Sequence, residues 1–325
     1  MKKAPIKFIP ILQEKIWGGT KLIDVLHKKN TLQSNSIGES WEISTVKNAI
    51  SVVAEGVYKG MKLTDLIKNF PADLLGKKVA DAFKEEFPLL IKYIDAKEDL
   101  SIQLHPNDEL AKKRHNSFGK TEMWYIMQAD KNAKIIVGFK EKVDKNVYQD
   151  YLNKGKITKI LNFEEVQKGD VYFIPTGRIH AIGAGVLLAE IQQTSDITYR
   201  VYDWQRTDKT GKSRELHTKQ ALEALDFEVH DNYKTTYSVS ENETQKIVEC
   251  PFFITEIISV NGKIEKDFTQ RDSFTILMCV SGNASIRYPD GNTTLNYGET
   301  VLIPNLLNKI EIHSAEKTEL LEVYL

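Results

Sequence analysis

The stretch Lys168-Gly-Asp-Val-Tyr-Phe-Ile-Pro175 (KGDVYFIP) returns, changed in detail, as Tyr297-Gly-Glu-Thr-Val-Leu-Ile-Pro304 (YGETVLIP). Both read as a turn glycine, an acid, a short β-branched or aromatic run and a proline that ends it. Upstream of each, Asp130-Lys-Asn132 and Ser281-Gly-Asn283 predict the turn of a hairpin-like strand pair. Two copies of one all-β unit are implied. The copies then diverge. Eleven residues beyond Gly169 stands His180, whereas eleven beyond Gly298 stands Lys309. One barrel is therefore expected to keep a polar centre that the other lacks.

Outward from these two stretches, most of the chain reads as strand: Leu89–Ile94, Glu122–Gln128, Lys134–Phe139, Val171–Ile174, Val186–Gln192, Thr198–Tyr202, Phe252–Val260, Phe274–Val280, Ala284–Tyr288, Glu299–Ile303 and Lys309–His313. Short strands punctuated by Gly, Asn, Asp and Pro suggest a sandwich or barrel. Helices are few and short. Thr20 is a candidate cap for Lys21–Lys29, Leu63–Phe70 and Pro71–Leu75 follow, and Pro106 is placed to open a helix through Arg114. Val147–Asn153 and His217–Leu225 complete the set. The polar run His230–Thr244 is the linker candidate, dividing the chain into 1–232 and 233–325.

Composition excludes several classes. Forty-four basic residues against 45 acidic ones give a net charge of −1, so no global field favours nucleic acid or membrane, and an anion site must be local. Cys250 and Cys279 form no CxxC pair and build neither a disulfide framework nor a cysteine-rich metal site. Pro5, Lys7 and Pro10 interrupt any signal-peptide core, and no apolar run approaches membrane-spanning length. A cytoplasmic protein is expected.

Ser101-Ile-Gln-Leu-His-Pro-Asn-Asp108 raises the chemical question. On a strand, Gln103 and His105 share one face while Ile102 and Leu104 take the other. An amide and an imidazole turned inward need polar partners, which waters or a metal ion supply equally well. Glu122 and His180 extend the set to two imidazoles, a carboxylate and an amide, a combination suited to a divalent first-row ion. Each also has a plain alternative, Glu122 as an edge residue and His180 as a hydrogen-bonded core histidine.

Ile16-Trp-Gly-Gly19, Gly38-Glu-Ser-Trp-Glu-Ile-Ser44, Ser101-Ile-Gln-Leu-His-Pro106, Lys120-Thr-Glu-Met-Trp124 and Pro175-Thr-Gly-Arg-Ile-His-Ala181 occur in the order found in type I mannose-6-phosphate isomerases. The chain resembles that family most strongly from about Phe8 to Trp204 and more weakly beyond. The resemblance implies a mainly β, tandem cupin fold of two jelly-roll barrels with a few short helices. It implies one zinc ion held by Gln103, His105, Glu122 and His180. Only 58 residues separate Glu122 from His180, which matches the short bacterial form without a large helical insertion. By position, Arg200 matches the family's active-site arginine and Glu190 an acid in its site. Lys92, Ser101, Lys120 and Arg206 fall at substrate or phosphate contacts. Ile182 stands where longer members often carry tyrosine, and Arg206 where they carry lysine.

The implied reaction moves a proton between C1 and C2 of a hexose phosphate through a cis-enediolate. Zinc and Arg200 would stabilise the developing charge, with Glu190, Lys120 or a metal-bound water as proton carrier. Lys92, Ser101 and Arg206 would hold the phosphate and position the reacting carbons. The second barrel should lack a ligand set, and a monomer or homodimer is expected. Two other classes share the residues: a non-haem iron oxygenase built on two histidines and a glutamate, and a sugar-phosphate-binding protein without catalysis.

Overall fold

Side-chain alternation on three central strands accounts for the architecture. In the computed structural model, which describes residues 1–207 and 210–325, Leu89–Ala96, Val186–Gln193 and Glu122–Ala129 are adjacent antiparallel strands. Residues 91 and 93, 187, 189 and 191, and 123, 125 and 127 enter one apolar cluster, and residues 94, 186, 188, 124 and 126 enter another. Both faces are buried, which is why these strands read as nearly continuous apolar runs. Ile11–Gly19, Ile37–Ile43 and Val171–Ile174 complete a six-stranded sheet.

Facing it is a five-stranded antiparallel sheet ordered Tyr199–Tyr202, Ile102–Leu104, His180–Ile182, Lys134–Phe139 and Leu161–Glu165. The two sheets enclose the first barrel interior, where Ile94, Trp124, Ile126, Ile135, Val137, Ile174 and Leu188 meet. Ile102 and Leu104 pack on the outer side of the second sheet with Tyr148 and Ala221, which come from the helices Lys145–Asn153 and Thr218–Ala224. Gln103, between them, is turned the other way, as alternation requires.

A seven-stranded antiparallel sheet forms the C-terminal barrel. Its longest members, Ile254–Asp267 and Lys309–Tyr324, pair along most of their length. Its interior holds Ile258, Val260, Leu277, Cys279, Ile286, Val301, Ile303, Ile312 and Leu320. Its other face packs against the six-stranded sheet and the short helices of residues 63–83. Phe87 and Phe274, fully buried with ring centroids 4.6 Å apart, tie the halves together. Each contributes about 1.5–3 kcal/mol by burial.

The duplicated stretches hold corresponding places. Gly169 and Gly298 are left-handed, with φ of 90° and 79°. Their N–H groups donate to the Ile126 and Cys279 carbonyls at 2.8 and 2.9 Å. The strand after each glycine pairs with the strand before the corner, Ile174 facing Glu122 in the first barrel and Ile303 facing Thr275 in the second. The tandem architecture read from the sequence is borne out. The expected hairpins at Asp130–Asn132 and Ser281–Asn283 are not. Strands Glu122–Ala129 and Lys134–Phe139 lie in different sheets, and Thr275–Ser281 and Ala284–Tyr288 share a sheet without pairing. These turns are barrel corners, built around left-handed Asn132 (φ 62°) and Gly282 (φ 71°).

Other local expectations need correction. The helix after Thr20 spans only Lys21–Asp24, and Thr20 makes no side-chain cap. The Lys21 N–H is taken by Asp95 Oδ2 at 2.8 Å, left-handed His27 turns the chain, and Lys28 is drawn inside to Glu42. Asn107 rather than Pro106 begins the next helix, its side chain accepting from the Leu110 N–H, and the helix is Asp108–His115. A helix at Lys77–Phe83 had no clear sequence signal. The polar run His230–Thr244 is fastened along the first barrel: Tyr233 Oη donates to the Phe139 carbonyl and Tyr237 Oη to the Gly169 carbonyl. No helix among the described residues is long and apolar enough to cross a membrane.

Candidate metal and active site

Glu122 and Trp124 project into the first barrel on alternate positions of one strand, and His180 arrives on the opposing sheet. The turn Pro175–Ile179 carries the chain across. Gly177, left-handed at φ 83°, lies within 2.6 Å of the Ala224 carbonyl at its would-be Cβ and donates its N–H to the His105 carbonyl. A side chain there would collide, so the approach of the turn to His105 depends on glycine.

His105 Nε2 and His180 Nε2 lie 3.4 Å from Glu122 Oε2 and Oε1 respectively. All three residues are 1% exposed or less. The opposite ring nitrogens face carbonyls: His105 Nδ1 donates to Ile197 O at 2.9 Å, and His180 Nδ1 to Arg178 O at 2.8 Å. Carbonyls only accept, so both protons sit on Nδ1 and both Nε2 lone pairs point at a carboxylate. Acceptors thus face acceptors. His105 Nε2, His180 Nε2 and both Glu122 oxygens are buried without a hydrogen-bond partner among the described residues.

Such an arrangement is costly unless a cation lies among these atoms. Their ligand atoms all fall within 4.8 Å of one another, so the residues fit a metal ion and form a candidate metal site. Burial and then Lys120 push the His105 ring down to about 3, and burial also lowers His180, keeping both rings neutral for coordination. Burial alone would raise the Glu122 carboxyl, but Lys120 and the two rings outweigh it and hold it below its ordinary value.

Lys120 Nζ stands 3.4 Å from Glu122 Oε2. Gln103 pairs in register with His180 and accepts from the Ser101 hydroxyl at 3.2 Å. Ser101 in turn accepts from Arg200 Nε at 3.3 Å, so Arg200, Ser101 and Gln103 form one hydrogen-bonded row leading toward the ligands. Behind the ligands, Lys92 donates to Glu190 Oε1 at 2.8 Å and Gln192 Oε1 at 2.7 Å. Trp124 Nε1 donates to Glu190 Oε2 at 3.0 Å, and its ring stands edge-on to His180 with centroids 5.4 Å apart. Burial would lower Lys92, but Glu190 and Glu39 outweigh it and raise the ammonium above its ordinary value.

Arg206 lies apart from this row, on Asp203. The structure therefore brings nine of the ten expected site residues into three adjoining groups and places the tenth at the margin.

Sequence reading assigned no role to Trp124, nor to Asp203 with Arg214, although the charges of Arg200-Val-Tyr-Asp-Trp-Gln-Arg206 hinted at a paired cluster. It also could not have found the Ile197 and Arg178 carbonyls, because any residue supplies one.

A barrel whose interior opposes two imidazoles to a carboxylate, beside a lysine and an arginine row, defines a tandem β-barrel protein with a candidate metal site in its first half. Residues 6–165 match the family described as phosphomannose isomerase type I, catalytic domain, and residues 243–325 match the mannose-6-phosphate isomerase cupin domain. The chain is 34% identical over 315 residues to the mannose-6-phosphate isomerase ManA of Bacillus subtilis, covering 96% of both. It is 33% identical to the mannose-6-phosphate isomerase of Streptococcus mutans, covering 91% of both. A crystal structure of the B. subtilis mannose 6-phosphate isomerase superposes with a TM-score of 0.87 at 33% identity, over 99% of this chain and 100% of that one. The chain belongs to the type I phosphomannose isomerase family, in its short bacterial form.

Proposed function

We infer from the family and the site together that the chain is an aldose–ketose isomerase interconverting mannose 6-phosphate and fructose 6-phosphate. The observation that carries this reading is the buried His105–Glu122–His180 set, whose acceptor atoms lack hydrogen-bond partners among the described residues and would be satisfied by a cation. We propose zinc as the resident ion, because two imidazoles and a carboxylate suit it, with Gln103 as fourth ligand. Bound there, it would supply Lewis acidity to a substrate oxygen.

The chain's own residues supply the rest. Arg200, held by Ser101 Oγ at 3.3 Å and by the Glu215 carbonyl at 2.9 Å, pairs in register with Gln103. It would meet charge that develops on the sugar oxygens as C1 and C2 exchange a proton. Glu190 and Lys120 are the candidate proton carriers. Glu190 pairs with Lys92 at 2.8 Å, and Lys120 lies 3.4 Å from the Glu122 carboxylate. Ser101 and Arg206 are proposed phosphate contacts. Lys92 is proposed with them, although its place between Glu190 and Gln192 also suits a counter-ion. Lys92→Met separates the two roles: a phosphate contact raises KM, whereas a counter-ion shifts the pH profile of kcat.

We assign the site to residues 1–232 and a supporting role to residues 233–325. The free thiols Cys250 and Cys279 fit a reducing, cytoplasmic compartment, and a monomer or homodimer is proposed. A coupled assay of purified protein with mannose 6-phosphate, before and after chelator, tests the reading. Turnover that chelator removes and zinc restores is expected, and metal-independent or absent turnover would refute it.

A further inference from the structure

Asp203 leaves the strand Tyr199–Tyr202 with its side chain 6% exposed, and two arginines converge on it. Arg206 Nη2 reaches Oδ1 at 2.7 Å. Arg214 holds the carboxylate with both prongs, Nε to Oδ2 at 2.7 Å and Nη2 to Oδ1 at 2.5 Å. The backbone explains how they meet. Thr207 and Ser213 form an isolated antiparallel bridge, and the arginines stand immediately outside it, side by side.

Arg206 follows two consecutive left-handed residues without being glycine-supported: Trp204 at φ 54° and Gln205 at φ 56°. That conformation is costly and persists only where the surroundings fix it. Here Trp204 Nε1 donates to the Leu100 carbonyl at 2.8 Å, one residue from Ser101, and the Arg206 N–H returns to the Asp203 carbonyl at 3.0 Å. The arginine-bearing turn is thereby stapled to the segment that leads through Ser101 into the strand of Gln103. Among the described residues Arg206 Nε is buried without a hydrogen-bond partner, in a cluster with two guanidinium groups on one carboxylate. The nearby Glu98 is 59% exposed and 3.8 Å from Arg206, a poor competitor for those donors.

We propose that Asp203 is a positioning residue that clasps Arg206 and Arg214 together, and that Arg214 is a second contact for the phosphate monoester of the substrate. One carboxylate cannot satisfy two guanidinium groups, and a dianionic phosphate has oxygens for the donors left over. The proposal rests on the hexose phosphate reading of the same site, but inorganic phosphate probes it separately.

Metal-loaded wild type, Arg214→Ala, Arg214→Lys and Asp203→Asn are titrated calorimetrically with inorganic phosphate, and KM and kcat for mannose 6-phosphate are measured beside them. Arg214→Ala should weaken phosphate binding roughly ten- to hundredfold and raise KM by a similar factor, since one charged donor pair is lost. Arg214→Lys should recover part of the loss. Asp203→Asn should fall at least as far, with Asp203→Asn/Arg214→Ala no worse than Asp203→Asn alone. Phosphate binding that depends on Arg214 in a protein without isomerase turnover would uphold the clasp while removing the reading of the activity. A folded, metal-loaded Arg214→Ala with wild-type phosphate affinity and KM would overturn the clasp and leave Arg214 a structural ion pair.

Discussion

The two barrels solve the same problem, a carboxylate inside a β-barrel, in opposite ways. In the second barrel, Glu322 is fully buried beside Leu320 and Leu277, yet Arg271 donates to Oε1 at 2.7 Å and Lys266 Nζ lies 2.7 Å from Oε2. In the first, both oxygens of Glu122 face imidazole lone pairs, with only the Lys120 ammonium at 3.4 Å. The second carboxylate is neutralised from within the chain. The first is not, which makes it the candidate site for a cation from outside. Register sharpens the contrast, because the position facing Ile303 that corresponds to Glu122 is Thr275, and Lys309, the counterpart of His180, is exposed on Asp267. No second group of three potential ligands occurs among the described residues.

Breaking the first barrel's set should have the largest effect. Glu122→Ala leaves two neutral rings and no charge to hold the ion, and isomerase turnover should fall on the order of a thousandfold or more, since the Lewis-acid contribution is several kcal/mol. Steady-state kinetics with added zinc is the check, and turnover within tenfold of wild type would end the claim. Arg200→Ala should keep its metal while kcat falls on the order of a hundredfold, the usual loss for one electrostatic partner of developing charge. A raised KM with near-normal kcat would instead make Arg200 a binding residue.

Acid should expose the same asymmetry. In metal-free protein, His105 stays neutral down to about 3 whereas an unfolded histidine takes a proton near 6.5, so between those values the unfolded chain binds more protons. Stability should therefore fall as pH drops through that window, with a slope of at most about 1.4 kcal/mol per pH unit for each ring. The His180 shift has the same direction. Thermal unfolding of chelated protein from pH 7 to 4 measures this, and in His105→Ala/His180→Ala the dependence should flatten. A slope unaltered by losing both rings would assign the acid response elsewhere. The smallest effect belongs to the second barrel. Glu322→Gln should cost roughly 1–3 kcal/mol of stability, through groups left poorly paired, with metal content and kcat/KM unchanged.

Much of this was legible in the sequence because it is written as local repetition. The glycine–acid–strand–proline echo located both barrels, and alternation at Gln103 and His105 turned the right side chains inward. The corners at Asn132 and Gly282 were misread as hairpins, because a left-handed turn between two strands says nothing about which sheet each strand joins. The ligand set was named through family motifs. The reason it suits a cation lies in the Nδ1 contacts to the Ile197 and Arg178 carbonyls, which no residue type announces. Lys92 stands in the apolar run Leu89–Ile94, and its partner Glu190 lies 98 positions away, beyond the reach of any local pattern.

The claim that one barrel requires a cation and the other does not is tested most directly by counting metal. Elemental analysis of protein purified without added metal and dialysed free of loose ions should give one divalent ion per chain. The count should drop to near zero in His105→Ala/His180→Ala and stay at one in Glu322→Gln. A full equivalent retained by the double histidine variant, or two ions per wild-type chain, would contradict the account.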